Sequence, residues 1–200
     1  MARIERIEEL EALYAEPTRA ALAKEADSIH AEHAAMIAAS PFCILATRGP
    51  KGIDCSPRGD APGFVRVQPP RTVQLPDRRG NNRVDSLRNI VANGEVGLIF
   101  LVPGKGEALR IAGRGAVLTD EDLRTSFAVR GIEPLTVIEI AVERVFHQCA
   151  RAIMRSDLWG DTPPRDDLPT AGRLIAAADN GFDAGPYDKA LTDRQRATLY

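Results

Sequence analysis

The order of apolar and polar residues divides the chain into a helical front and a strand-rich body. From Arg3 to Ser40, Ile4, Ile7, Leu10 and Leu13 recur at helical spacing, and Pro17 interrupts the run. Beyond it Leu22, Ala26, Ile29 and Met36 form a second stripe, with His33 between the last two, and Ser40-Pro41 closes it. The pattern predicts two helices separated at Pro17.

After Pro41 the period shortens. "FCILATRG", the turn "GPKG" and "IDCSPRG" read as a strand, a turn and a strand, which makes a hairpin. "GFVRVQ" and "RTVQLPD" follow as two strands around Pro69-Pro70, and "EVGLIFLVPG", "EALRIAGRGAVLTD" and "LTVIEIAVERVFHQC" as three more. "NNRVDSLRNIVAN" has helix character, with Val84, Leu87, Ile90 and Val91 on one side and Asn93-Gly94 as a stop. "DEDLRTSFAVRG" opens acidic and ends in glycine, as helices do. "ARAIMRSDLW" reads as a short helix, and the tail after it is rich in Pro, Asp and Gly. At least six strands joined by short turns predict a mainly β, small antiparallel barrel with peripheral helices. Residues 41–160 are expected to form it, with an N-terminal helical extension at 1–40 and a C-terminal extension at 161–200.

Composition narrows the function classes. A chain of 200 residues with 44% hydrophobic and 27% charged residues is ordinary for a globular protein. Its net charge of -2 and 5% aromatic content weigh against a nucleic-acid module, so any positive site must be local. Cys43, Cys55 and Cys149 are widely spaced and show no CxxC pair, which fits a reducing cytoplasm rather than a disulfide framework. The N-terminus has no apolar signal region, and no apolar run approaches the roughly 20 residues of a membrane span. The expectation is a cytoplasmic protein without membrane contact.

Three basic stretches could carry chemistry. "LPDRRGNNRVDSLRNI", residues 75–90, holds four arginines and three asparagines around a glycine turn ahead of a helix. Arginine forks, amide donors and a helix N-terminus are what a phosphate needs, although surface arginines beside a turn give the same pattern. In "SPRGD", residues 56–60, Ser56 and Arg58 offer donors and Gly59 allows close backbone approach. A bulge closed by an Arg-Asp pair explains the same residues. In "HQCARAIMRSDLW", Arg151, Arg155 and Trp159 share one helix face, suited either to an anionic aromatic ligand or to a capped helix end. His30 and His33 lack a third ligand, so no metal site is expected. Cys149 lies beside arginines without a base and reads as a buried, inert thiol.

Taken in order, "FCILATRG", "DCSPRGDAPGFVRV", "LPDRRGNNRVDSLRNI", "VGLIFLVPG" and "LRIAGRGAVLTD" resemble the pyridoxamine 5'-phosphate oxidase-related, FMN-binding split-barrel superfamily. The resemblance covers about residues 40–160 and is narrowest for the "PDRRGNNRxDSLRNI" subgroup of FMN-dependent enzymes. It implies a six-stranded antiparallel split barrel and a homodimer with FMN at the subunit interface. By position, Ser56, Arg58 and Gly59 line the flavin and ribityl chain, and Pro76-Asp77 contacts FMN through its backbone. Asn82 and Arg83 fall on the phosphate, assisted by Ser86 or Arg78. Arg110 reaches the cofactor from the partner subunit, and Arg151, Arg155 and Trp159 close the site.

The Trp-Gln-Gly and Arg-x-His elements of substrate binding in pyridoxamine 5'-phosphate oxidases are not found. The resemblance therefore implies FMN binding rather than vitamin B6 oxidation. It implies hydride transfer through flavin N5 with a small-molecule substrate and a nicotinamide or oxygen partner, and it assigns no catalytic residue. The rivals are a flavin sensor or store of the same fold and a haem-binding relative, for which His147 and Cys149 are the late ligand candidates.

Overall fold

Strand alternation organises the computed structural model, which describes residues 3–200. Met1 and Ala2 of the expected N-terminal extension lie outside the described residues. The strands are β1 (Glu25–Ala26), β2 (Phe42–Gly49), β3 (Gly52–Gly59), β4 (Arg66–Gln68), β5 (Thr72–Pro76), β6 (Glu95–Leu101), β7 (Ala108–Leu118) and β8 (Val137–Gln148). They form one antiparallel sheet in the order β3-β2-β6-β7-β8-β5-β4, with β1 added on β8. The fold is the expected mainly β split barrel with peripheral helices.

The strand count is a correction: the sheet has eight strands, not six. β1 and β4 span two and three residues, too short to show a period-2 pattern. β8 carries the split. Along one edge it pairs with β7 throughout, while its other edge pairs first with β5 (Val137 to Ala141) and then with β1 (Val145 and Phe146).

The core follows from the register. Cys43, Leu45 and Thr47 of β2 stand opposite Phe100, Leu98 and Val96 of β6, and these face Leu109, Ile111 and Gly113 of β7. All are buried, most at 3% exposure or less, so one face of the ladder is the core. Fully burying such side chains contributes about 1.5–3 kcal/mol each.

The helices are α1 (Ile7–Glu11), α2 (Arg19–Ala23), α3 (Ala31–Ala39), α4 (Asp85–Ala92), α5 (Glu121–Ser126), α6 (Arg151–Ser156), α7 (Ala171–Ala178) and α8 (Ala184–Ala197). The second helix expected at the N-terminus is broken by β1. There the Ile29 N–H donates to Pro70 O at 2.7 Å, and Arg71 pairs with Asp27. These tertiary partners override a helical stripe that is weak in apolar content. The polar tail also departs from its loop-like composition. It forms α7 and α8, held together where Thr170 Oγ1 and the Gly172 N–H donate to the Asp188 carboxylate at 2.6 and 2.7 Å. No helix among the described residues is long and apolar enough to cross a membrane.

At the Ala112/Gly113 register shift β7 passes closest to β8, and a Cβ on Gly113 would lie 2.1 Å from Ala141 O. Backbone cannot yield as a side chain can. Gly113→Ala is expected to destabilise the protein by about 3 kcal/mol in urea unfolding, and an unchanged midpoint would refute the close approach.

Candidate functional site

The buried ladder changes character at its edge. Phe100 and Cys43 continue to Arg58, Leu98 and Leu45 to Ser56, and Val96 and Thr47 to Asp54. Thus β3 turns three polar side chains toward the face that is apolar on β2. An edge strand gains no stability from a polar inner face unless those groups find partners. Here they line a groove of about 1120 Å³, completed by segments 76–87 and 132–136, Phe64 and Tyr200. Small-molecule sites usually measure about 300–1,000 Å³, so this groove has room for a large cofactor or for two ligands.

Two crossed ion pairs fix the groove. Arg58 Nη1 meets Asp77 Oδ1 at 2.5 Å, and Arg78 Nε meets Asp60 Oδ2 at 2.7 Å. The Arg-Asp pair suggested within "SPRGD" does not form, because each partner reaches across to the segment after β5. Arg78 also donates to Phe127 O at 2.8 Å, and the Asp77 N–H donates to Thr136 O at 2.9 Å. Asp60 is only 4% exposed and accepts from Tyr200 Oη and the Ala61 N–H at 2.8 and 2.7 Å. Burial pushes its carboxyl up, but the phenol, the Ala61 N–H and Arg78 outweigh it and hold Asp60 below the ordinary carboxylate range.

Two buried polar atoms among the described residues have no partner, Arg58 Nε and Thr136 Oγ1. Both belong to residues that line the groove. A buried donor left unmade costs about 1–3 kcal/mol, so each is an unmet contact at the site.

The loop into α4 is basic and strained. Asn82 and Val84 have φ of 59° and 51°. A β-branched residue in the left-handed region costs of order 1–3 kcal/mol, a strain associated with functional sites. Val84 is the N-cap of α4 and offers no side-chain cap, so the first-turn N–H groups carry the positive end of the helix dipole uncapped. Arg79, Gly80, Asn81, Asn82 and Arg83 surround this end. Arg83 is 75% exposed and paired with Asp85 at 2.8 Å. Ser86 is buried and donates to Asp54 Oδ2 at 2.8 Å.

The sequence candidates fall into two groups. Ser56, Arg58, Gly59, Pro76, Asp77, Arg78, Asn82, Arg83 and Ser86 line the one groove. Arg110, Arg151, Arg155 and Trp159 do not line it within the same chain. Arg110 shares a row with Ile99, Ile44 and Pro57, three strands or about 14 Å from the groove edge, and it stacks on Phe146 at 4.7 Å. Trp159 Nε1 donates to Lys105 O at 2.8 Å, in the turn between β6 and β7.

Sequence reading missed Asp60 as a buried anchor, together with Phe64, Thr136 and Tyr200. Their contacts are long-range and leave no local signal. Cys149 corrects the expectation of burial: it is exposed, and the Arg151 N–H holds its thiol below the ordinary range. Burial pushes the Cys43 thiol, beside Arg58, up to about 12, so it is no nucleophile at neutral pH. His33 Nδ1 accepts from the His30 N–H at 3.3 Å, a cap on α3. A smaller cavity of about 440 Å³ beside α2 and β8 contains Asp27, which is already paired with Arg71, and no orphaned buried donor.

The profile of the pyridoxamine 5'-phosphate oxidase family matches residues 29–149. Among solved structures, HupZ of Group A Streptococcus aligns with a TM-score of 0.51 at 21% identity, covering 60% of this chain and 94% of that one. A histidine-to-alanine variant of the same protein aligns at 0.50 and 22% identity, covering 60% of this chain and 99% of that one. No curated protein matches the chain significantly.

The depressed Asp60 pKa sets a pH window. Its contribution is present above the ordinary carboxylate value of about 4 and is lost as pH falls through the lower folded value. Asp60→Asn leaves Arg78 partly buried without its counter-charge and is expected to cost about 3 kcal/mol at pH 7 in denaturant unfolding. That deficit should shrink toward pH 3, and a deficit that stays constant with pH would contradict the assignment.

Proposed function

The chain belongs to the pyridoxamine 5'-phosphate oxidase family, and from that premise we propose that it is an FMN-dependent oxidoreductase acting on a small molecule. One observation carries the proposal: an uncapped helix N-terminus, ringed by arginine and asparagine, opens into a groove whose wall holds unpartnered buried donors. This donor set fits a phosphate monoester joined to a flat, polar-edged ring. Asn82, Arg83 and the first turn of α4 would hold the phosphate. Arg58, Ser56 and Thr136 would offer donors along the ring and chain, and Gly59 would allow close backbone approach.

When bound, FMN supplies a hydride-accepting centre at N5. The chain would bind and orient the cofactor, pack Phe64, Ile132 and Leu135 against it as an apolar wall, and set the local positive potential with Arg58. None of this needs a general base on the protein. The same reading includes a cytoplasmic protein that takes electrons from NAD(P)H or gives them to oxygen.

A homodimer is part of the proposal. The outer face of β3-β2-β6-β7 presents Ile53, Cys55, Ile44, Ala46, Gly97, Ile99 and Ala112, all half-buried or exposed, with Ile53 at 78%. Its apolar middle, rimmed by Arg48, Glu95, Arg110 and Arg114, is a surface to be covered. Covering it with a second copy would carry Arg110, which stands in the same face, toward the partner's groove, with Arg151, Arg155 and Trp159 closing the site. That accounts for the two separate groups of candidate residues in one chain.

Three experiments test the proposal. Arg83→Ala should weaken FMN binding about five- to tenfold in a fluorescence titration, and an unchanged affinity would remove Arg83 from the cradle. FMN-dependent consumption of NAD(P)H would favour an enzyme over a flavin store. By light scattering the wild type should have the mass of two chains and Ile53→Glu the mass of one with weakened FMN binding; a monomeric wild type that binds FMN would overturn the shared site.

A further inference from the structure

Among the described residues, Tyr200 is the one groove-lining residue supplied from beyond α6. The chain runs from β8 through α6, α7 and α8 and returns to the groove wall at this side chain. Its phenol donates to Asp60 Oδ1 at 2.8 Å, a contact across 140 positions of sequence. Two cations lie near its ring, with the guanidinium carbons of Arg78 and Arg130 at 5.8 and 5.5 Å from the ring centre. Both distances fall within the range of cation–π attraction. Arg130 is presented by a tight turn in which Val129 and Ile132 exchange backbone hydrogen bonds, with Arg130 and Gly131 at φ of 53° and 77°. Two positive φ values in succession match a type I′ turn.

This is a built contact, not a loose end. Asp60 accepts the phenol as one of three donors on a buried carboxylate, so the hydroxyl is fixed at its tip. A tyrosine anchored there has only two torsions to restrain and keeps a ring flank free for a ligand. The hydrogen bond to Asp60 raises the phenol pKa, so Tyr200 remains a donor across the neutral range.

We infer that Tyr200 is a specificity-determining residue of the groove: held by Asp60, its ring forms an end wall, shields the bound flavin on that side and limits how far a substrate extends. The inference rests on the FMN reading above. A small planar substrate fits beside the ring, whereas a longer one meets it.

The test uses the full chain loaded with FMN and acrylamide as a small neutral quencher of flavin fluorescence. Tyr200→Ala should raise the quenching constant about fivefold, and Tyr200→Phe, which keeps the ring and loses the bond to Asp60, about twofold. The FMN-free variants should stay folded but melt a few degrees below the wild type, since the buried Asp60 carboxylate loses one of its three donors. A loaded Tyr200→Ala protein quenched like the wild type overturns this inference alone, and if that variant fails to fold, an unchanged Tyr200→Phe does the same. A wild type that takes up no FMN overturns the functional reading and this inference with it.

Discussion

Two crossed ion pairs, Arg58 with Asp77 and Arg78 with Asp60, hold the end of β3 against the segment leaving β5. They join residues 19 and 18 positions apart, at the ends of β3 and β5, which are not neighbours in the sheet. All four side chains are less than a fifth exposed. Such pairs gain little net stability, because desolvation offsets most of the attraction, but breaking one leaves an expensive uncompensated charge. Their effect is to fix position. With both pairs made, β3 keeps a polar inner face at the sheet edge, and the groove stays open beside it.

The rest of the site follows from that placement. The loop after Arg78 is delivered to the groove mouth already strained, with Asn82 and Val84 in the left-handed region, and it enters α4 without a capping side chain. A cap would satisfy the first-turn N–H groups, so in the proposed function the missing cap and the arginine cluster serve the same phosphate. Asp60 serves twice, anchoring Arg78 from the barrel and Tyr200 from beyond α8. In the proposed function this links cofactor placement to the wall that limits the substrate.

Much of the barrel was legible in the sequence because its signals are local. "FCILATRG" and "EVGLIFLVPG" are short apolar runs bounded by turn residues, and they pair with each other in register. β1 was not legible: its two residues sit in a helical pattern and become a strand only because β8 has a free edge there. The arginine loop was visible as chemistry, yet composition could not say that Arg78 is committed to Asp60 while Arg83 remains exposed. Tyr200 had no signal at all, since its partner is 140 positions away. Arg151, Arg155 and Trp159 were legible as one helix face and Arg110 only through the family resemblance, and the distance of Arg110 from the groove depends on strand order.

The central claim is that the α4 cradle recognises the phosphate of a flavin mononucleotide. The most direct measurement compares FMN with riboflavin, which shares the ring and chain and lacks the phosphate, by titration against the cofactor-free protein at fixed salt. The account predicts FMN binding tighter by about a hundredfold or more, since a dianion is lost from several charge-assisted donors. Equal affinities for the two would contradict it.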